Sequence, residues 1–221
     1  MIRIGNSEDR RGGRVEGGGR TGSVGSGFGP LAYEMGRYFD TAYGFTQFWE
    51  GGGTFHEVQG DPGGATKFGI SYRFLKDLPL PSVDFDLDGI LTWQDVRAMR
   101  EEQAREIFRR YFWNYLTLDR FRGPLAVVMF DTAVNVGRTR TVRWLQQGLA
   151  LTADLVVDGV MGPRTVEAAI LADMWATIRD LLSRRRRYYY DLAGDTGWAK
   201  KFVRGWIRRT ERLEAVVGGM P

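Results

Sequence analysis

The run Leu125 to Val136 is almost wholly apolar, and it restricts the fold more than any other segment. Pro124 suits the first turn of a helix, where its missing N–H costs nothing, and Gly137 suits the stop. A helix that is apolar all round must be enclosed by other elements. The chain is therefore expected to be mostly α, with amphipathic helices wrapped around this central one. Asp131 and Asn135 are its only strongly polar members, four apart and so on one face. Buried polar groups need partners, so these two either brace a cleft or satisfy core backbone.

A chain of 221 residues, 43% of them hydrophobic and 13% aromatic, has enough apolar surface to build that enclosure as one large domain or two small ones. Cysteine is absent, which excludes disulfides, thiolate metal sites and a cysteine nucleophile. His56 is the only histidine, so a histidine-cluster metal site is excluded as well. Surrounded by glycines, His56 is expected to be solvated.

A second segment carries the chemistry. Phe39, Tyr43, Thr46 and Glu50 recur at helical spacing, so Glu50 prolongs the stripe that a helix over 31–49 turns toward the core. Gly51, Gly52 and Gly53 then stop the helix and let the chain turn back across the carboxylate. A helix C-terminus with apolar surroundings disfavours ionisation, which suits a general acid. The turn Gly60-Asp61-Pro62-Gly63-Gly64 and the strand-like run 65–72 form a hairpin that presents Asp61 and Thr66 to Glu50. One acid with a second polar pair is what glycoside hydrolysis by inversion needs: Glu50 protonates the leaving oxygen, while Asp61 and Thr66 position a water.

The run EGG followed by DPGGATKFGIS resembles the muramidases of glycoside hydrolase family 108, known from phage endolysins and bacterial secretion-activator proteins. Members typically show an EGGY start and an NDPGGATxxGIT continuation. Here Thr54 and Phe55 follow the glycines, and Gln59-Gly60 precede Asp61. The order Glu, Asp, Thr is also similar to that of phage-type lysozymes, and on that likeness general acid falls to Glu50 and water positioning to Asp61 and Thr66. The family has a similar FDxAVNxG run, which makes Asp131 and Asn135 candidate cleft residues. The resemblance implies a lysozyme-like helical domain with a small hairpin lobe. It also implies hydrolysis of the β-1,4 bond between N-acetylmuramic acid and N-acetylglucosamine. The rival reading is a non-catalytic peptidoglycan-binding or virion structural protein on the same fold.

A third motif spans 84–95. Asp84, Asp86, Asp88, Gly89 and Asp95 occupy positions one, three, five, six and twelve of a calcium-loop pattern, with the Ile90 carbonyl at seven. Oxygen donors at alternate positions can wrap a divalent cation, so the expected ligands are Asp84, Asp86, Asp88, Ile90 and Asp95. The expected ion is a structural Ca2+, with no cofactor for catalysis. The competing reading is an acidic turn closed by a capping box from Thr92 to Asp95. After it, Val96, Met99, Gln103, Ile107 and Tyr111 share one face of a predicted helix.

The run DGxxGPxT from Asp158 resembles the small helical peptidoglycan-binding modules attached to such muramidases. Between Arg179 and Arg212, eleven basic residues stand against four acidic ones. Peptidoglycan and anionic membrane surfaces both fit that charge. Nucleic acid would leave the stretch from Glu50 to Thr66 unexplained and is not expected. Tyr188, Tyr189, Tyr190, Trp198, Phe202 and Trp206 recur near helical spacing and are expected to pack.

The expected organisation is thus a flexible Gly/Arg-rich tail over 1–30, a lysozyme-like domain over 31–149 and a helical peptidoglycan-binding segment over 150–221, in a monomer. No run reaches the roughly 20 apolar residues of a membrane span, and the N-terminus lacks a signal-peptide stretch. Synthesis in the cytoplasm is therefore expected, with action in the periplasm or cell wall after release by a holin or transporter.

Overall fold

The computed structural model describes the backbone of residues 30–58 and 61–221, and their side chains except those of 30–37, 58 and 61–63. Apart from Pro30, the tail expected over 1–30 lies outside the described residues. Helix α1 (Pro30–Glu50) leads into a three-stranded antiparallel sheet, β1 (His56–Val58), β2 (Asp61–Lys67) and β3 (Ile70–Ser71), in that spatial order. Then come α2 (Tyr72–Leu75), α3 (Trp93–Ala98), α4 (Glu101–Phe108), α5 (Gly123–Val136), α6 (Arg138–Leu149), α7 (Pro163–Leu171), α8 (Met174–Asp195) and α9 (Val203–Gly218).

Every residue of α5 is buried, as its all-round apolar character requires. Pro124 sits in its first turn, and Gly137 ends it with φ of 96°. Helix α1 packs along α5, and Phe39 meets Phe130 and Trp113 edge to face with ring centroids 5.8 and 5.4 Å apart. Such aromatic contacts add about 0.5–1.5 kcal/mol beyond area burial.

The helix predicted through Met99 and Gln103 is broken. Met99 leaves helical dihedrals at ψ 129°, and α3 and α4 become separate helices. Lys67 of β2 donates to the carbonyls of Arg97 and Met99 at 2.8 and 2.7 Å, satisfying acceptors that the break exposes. The Asp158 turn is fixed from within. Buried Gln146 donates to Asp158 Oδ1 at 2.8 Å and accepts the Gly159 N–H at 2.8 Å, clamping the turn onto α6.

The division expected after Leu149 falls inside a continuous core. Ile178, Leu181 and Leu182 of α8 and Leu213 and Val217 of α9 belong to the same apolar cluster as α1 and α5. Stripping a partner from such side chains costs about 1.5–3 kcal/mol each, and a domain's whole stability is about 5–15 kcal/mol. Truncation after Leu149 should therefore abolish the cooperative thermal transition, read by circular dichroism. A truncated chain that melts sharply would show that the helices after Leu149 are an appended module.

Candidate active site

The apolar stripe of α1 carries Phe39, Tyr43, Thr46 and Glu50 into the interior, each less than a tenth exposed. Burial, followed by the neighbouring Glu101 charge, pushes the Tyr43 hydroxyl up to about 12. Gly51 and Gly52 take φ of 85° and 57°, ending α1 as the glycines predict. The turn between β2 and β3 then docks on the helix end. Phe68 N–H donates to Gly52 O at 3.0 Å, and Gln47 Nε2 donates to Phe68 O at 2.9 Å. The approach is close enough that a Cβ on Gly69 would lie 2.9 Å from Glu50 Cγ, so only glycine fits there. The sheet thus closes over Glu50, which is 5% exposed.

Thr66 is buried in β2, paired with His56 on one side and Ser71 on the other, and its Oγ1 donates to Gly64 O at 3.3 Å. The backbone of Asp61 opens β2 opposite Val58; its side chain is outside the described residues. Glu50 thus meets the sheet at the Phe68–Gly69 turn between β2 and β3.

What the sequence reading lacked is a counter-charge. Arg209 of α9 donates from Nη1 to Glu50 Oε1 at 2.5 Å and from Nη2 to Asp131 Oδ1 at 2.6 Å. Arg185 of α8 donates to Asp131 Oδ2 at 2.7 Å, and Thr46 Oγ1 donates to Asp131 Oδ1 at 3.0 Å. Arg185 also donates from Nε to Tyr189 Oη at 2.8 Å, and that hydroxyl donates in turn to Asn135 Oδ1. Two carboxylates thus face two guanidiniums in a buried network that ties α1, α5, α8 and α9 together. Burial alone would raise the Asp131 carboxyl, but the Arg209 and Arg185 charges and hydrogen bonds outweigh it and hold the group down at about 2.

Two expectations change as a result. Glu50 does not sit in purely apolar surroundings, because Arg209 grips one of its oxygens. Asp131 is 0% exposed and fully engaged, so it cannot touch a substrate; its role is to hold Arg209. Asn135 is 3% exposed yet borders a cavity beside Glu50, and so keeps a place at the cleft. Among the described residues, Glu50 Oε2 has no hydrogen-bond partner, so the network fixes the side chain through one oxygen.

The acidic loop is only partly as predicted. Carboxylate oxygens of Asp84, Asp86 and Asp88 lie within 4.8 Å of one another, and Asp84 Oδ1 is buried with no hydrogen-bond donor among the described residues. An orphaned carboxylate oxygen beside two others fits a hard cation. Desolvation and the nearby Asp95 and Asp88 charges raise the Asp86 carboxyl above its ordinary value. Asp95 is not in the cluster. It is wholly buried, and its two oxygens accept the Phe85 and Thr92 N–H groups at 2.7 Å each, completing the capping box that starts α3. As a ligand Asp95 is therefore withdrawn, because both oxygens already satisfy backbone. Ile90 donates its N–H to Asp88 Oδ1 at 2.9 Å.

A helical body around one buried helix, with a small sheet folded over a carboxylate at a helix end, defines the lysozyme-like class. Residues 43–137 match the family described as Glycosyl hydrolase 108, and residues 140–211 match the one described as Predicted Peptidoglycan domain. The stretch 43–137 thus falls in the glycosyl hydrolase 108 family, and a peptidoglycan domain follows it. A solved structure titled "Structure of Brucella abortus SagA" is similar to it, with a TM-score of 0.63 and 24% identity over 82% of this chain and 94% of that one. That likeness speaks to the fold. No curated protein matches. Together the two matches support a peptidoglycan hydrolase-like function.

Proposed function

We propose that the protein is an N-acetylmuramidase that cleaves the β-1,4 bond between N-acetylmuramic acid and N-acetylglucosamine in the bacterial cell wall. One observation carries this reading: Glu50 is enclosed by the hairpin and held through Oε1 by Arg209, with Oε2 left unpartnered among the described residues. Protonated Glu50 gives its proton from Oε2 to the leaving glycosidic oxygen, and that bond breaks as positive charge develops on the sugar ring. Asp61 and Thr66 hold the water that attacks the opposite face, and Asp61 takes the proton this water loses, so the anomeric configuration inverts. Arg209 takes no part in the proton transfer. It is a positioning residue that fixes the acid's rotamer.

Digestion of purified murein followed by fragment analysis tests the proposal. New reducing ends on muramic acid are expected. Anhydro ends would instead identify a transglycosylase, and free peptides an amidase or peptidase.

The Asp84, Asp86 and Asp88 carboxylates, with the Ile90 carbonyl, would hold a Ca2+ ion whose role is structural, since the loop joins the sheet region to α3. Ca2+ at about 100 times its Kd should raise the melting temperature by about 5–10 °C. Chelation should lower activity only as far as the fold loosens. Absence of any calorimetric heat on adding Ca2+ or Mg2+ to chelated protein would leave the loop as a capped acidic turn.

A further inference from the structure

Glu50, Asn135 and Arg209 line one side of a cavity of about 380 Å³ that extends over α9. It is within the size range of small-ligand sites, about 300–1,000 Å³. Trp49, Phe202 and Trp206 give it aromatic lining, with Phe202 and Trp206 stacked at 5.8 Å and an interplanar angle of 25°. Trp49 Nε1 is buried with no acceptor among the described residues, which is uncommon for an indole N–H. Arg204 and Arg208 line the same cavity, are exposed, and pair with no acid among the described residues. That contrasts with Arg184, Arg185, Arg186 and Arg209, each of which has a carboxylate partner.

Aromatic surface next to unpaired guanidiniums and an orphaned donor suits a ligand with an apolar sugar face, an acceptor oxygen and a carboxylate. A neutral oligosaccharide would leave the arginines without purpose, and a bare anion would leave the aromatic surface so. We infer that this cavity is a subsite for the acidic amino sugar of the glycan. The sugar packs on the aromatic lining, its acetamido carbonyl accepts from Trp49 Nε1, and its carboxylate pairs with Arg204 and Arg208. The inference rests on the glycan-cleaving reading of Glu50 and adds the group by which the strand is recognised. The carboxylate has two sources, the lactyl ether of muramic acid and the stem peptide attached to it.

The test compares the full-length wild type with the double variant Arg204→Gln/Arg208→Gln on three soluble glycan preparations. These are peptide-bearing strands, amidase-stripped strands with a free lactyl carboxylate, and peptide-bearing strands with their carboxylates amidated. KM and kcat are measured alongside calorimetric binding at low and high salt. For the strand type that carries the recognised carboxylate, KM and Kd should rise about tenfold in the double variant while kcat stays within about twofold. Lysine at both positions should recover most of the loss, and high salt should shrink it. Amidated strands should bind the two proteins equally. Dependence on stripped strands identifies the lactyl group, and dependence on peptide-bearing strands identifies the stem. Unchanged KM and Kd on every preparation would overturn the subsite. Binding that depends on the arginines without any release of muramic reducing ends would instead defeat the muramidase reading and leave the subsite standing.

Discussion

Asp131→Asn should cost about 3–5 kcal/mol of folding stability, because it leaves buried Arg185 without a carboxylate and Arg209 with Glu50 alone. For a chain of this size that lowers the melting temperature by about 6–20 °C. Asp131 accepts from Thr46, Arg185 and Arg209 and is wholly buried, so no water can replace the lost charge. The loss should depend on pH. The carboxyl titrates at about 2 in the folded protein and near 3.9 when unfolded, so the unfolded chain takes up the proton first as pH falls. The pair's contribution is fully present above about pH 4 and fades as pH drops toward about 2. Denaturation curves should therefore show wild type and Asp131→Asn far apart at pH 7, with the gap narrowing below about pH 4. Equal stability at pH 7 would mean that the network is not a structural keystone. Activity should fall as well, although Asp131 is out of reach of any substrate, because Arg209 would lose the group that aims it at Glu50.

Much of the fold could be read from local pattern. The apolar run of α5, its flanking Pro124 and Gly137, and the α1 stripe ending in Glu50 all depend on spacing within one element. The charge network could not be read in that way. Glu50 and Arg209 are 159 residues apart, and Arg185 and Arg209 belong to a basic run that looks like a solvated face. A weaker signal was present. Arg185 lies four residues from both Leu181 and Tyr189, and Arg209 four from Leu213, so both arginines share the helical phase of fully buried residues. A cation in an apolar phase needs a buried carboxylate, and Asp131 in the all-buried α5 was the one to pair with it. Asp95 illustrates a different difficulty. A capping box and the last ligand of a calcium loop use the same residue at the same spacing, and only the contacts at 2.7 Å decide between them. The expectation that the C-terminal aromatics pack holds for Tyr189 and Trp206, which are buried, while Phe202 is half-buried and borders the cavity next to the acid.

The other large effect belongs to Glu50→Gln. The amide keeps the shape of the acid and can still accept from Arg209, which remains paired with Asp131, so the fold should survive with a far smaller change in melting temperature than Asp131→Asn. What it lacks is an acidic proton for the leaving oxygen, and general acid catalysis is commonly worth about 10² to 10⁴ in rate. Thr66→Ala should lose less, since Thr66 only helps place the water. The deciding measurement is the rate at which purified murein yields muramic reducing ends, taken on wild type and on Glu50→Gln with matched thermal transitions and matched binding to intact sacculi. The account predicts a drop of at least about 10² in that rate at unchanged binding; a folded Glu50→Gln that releases those ends at nearly the wild-type rate would contradict it.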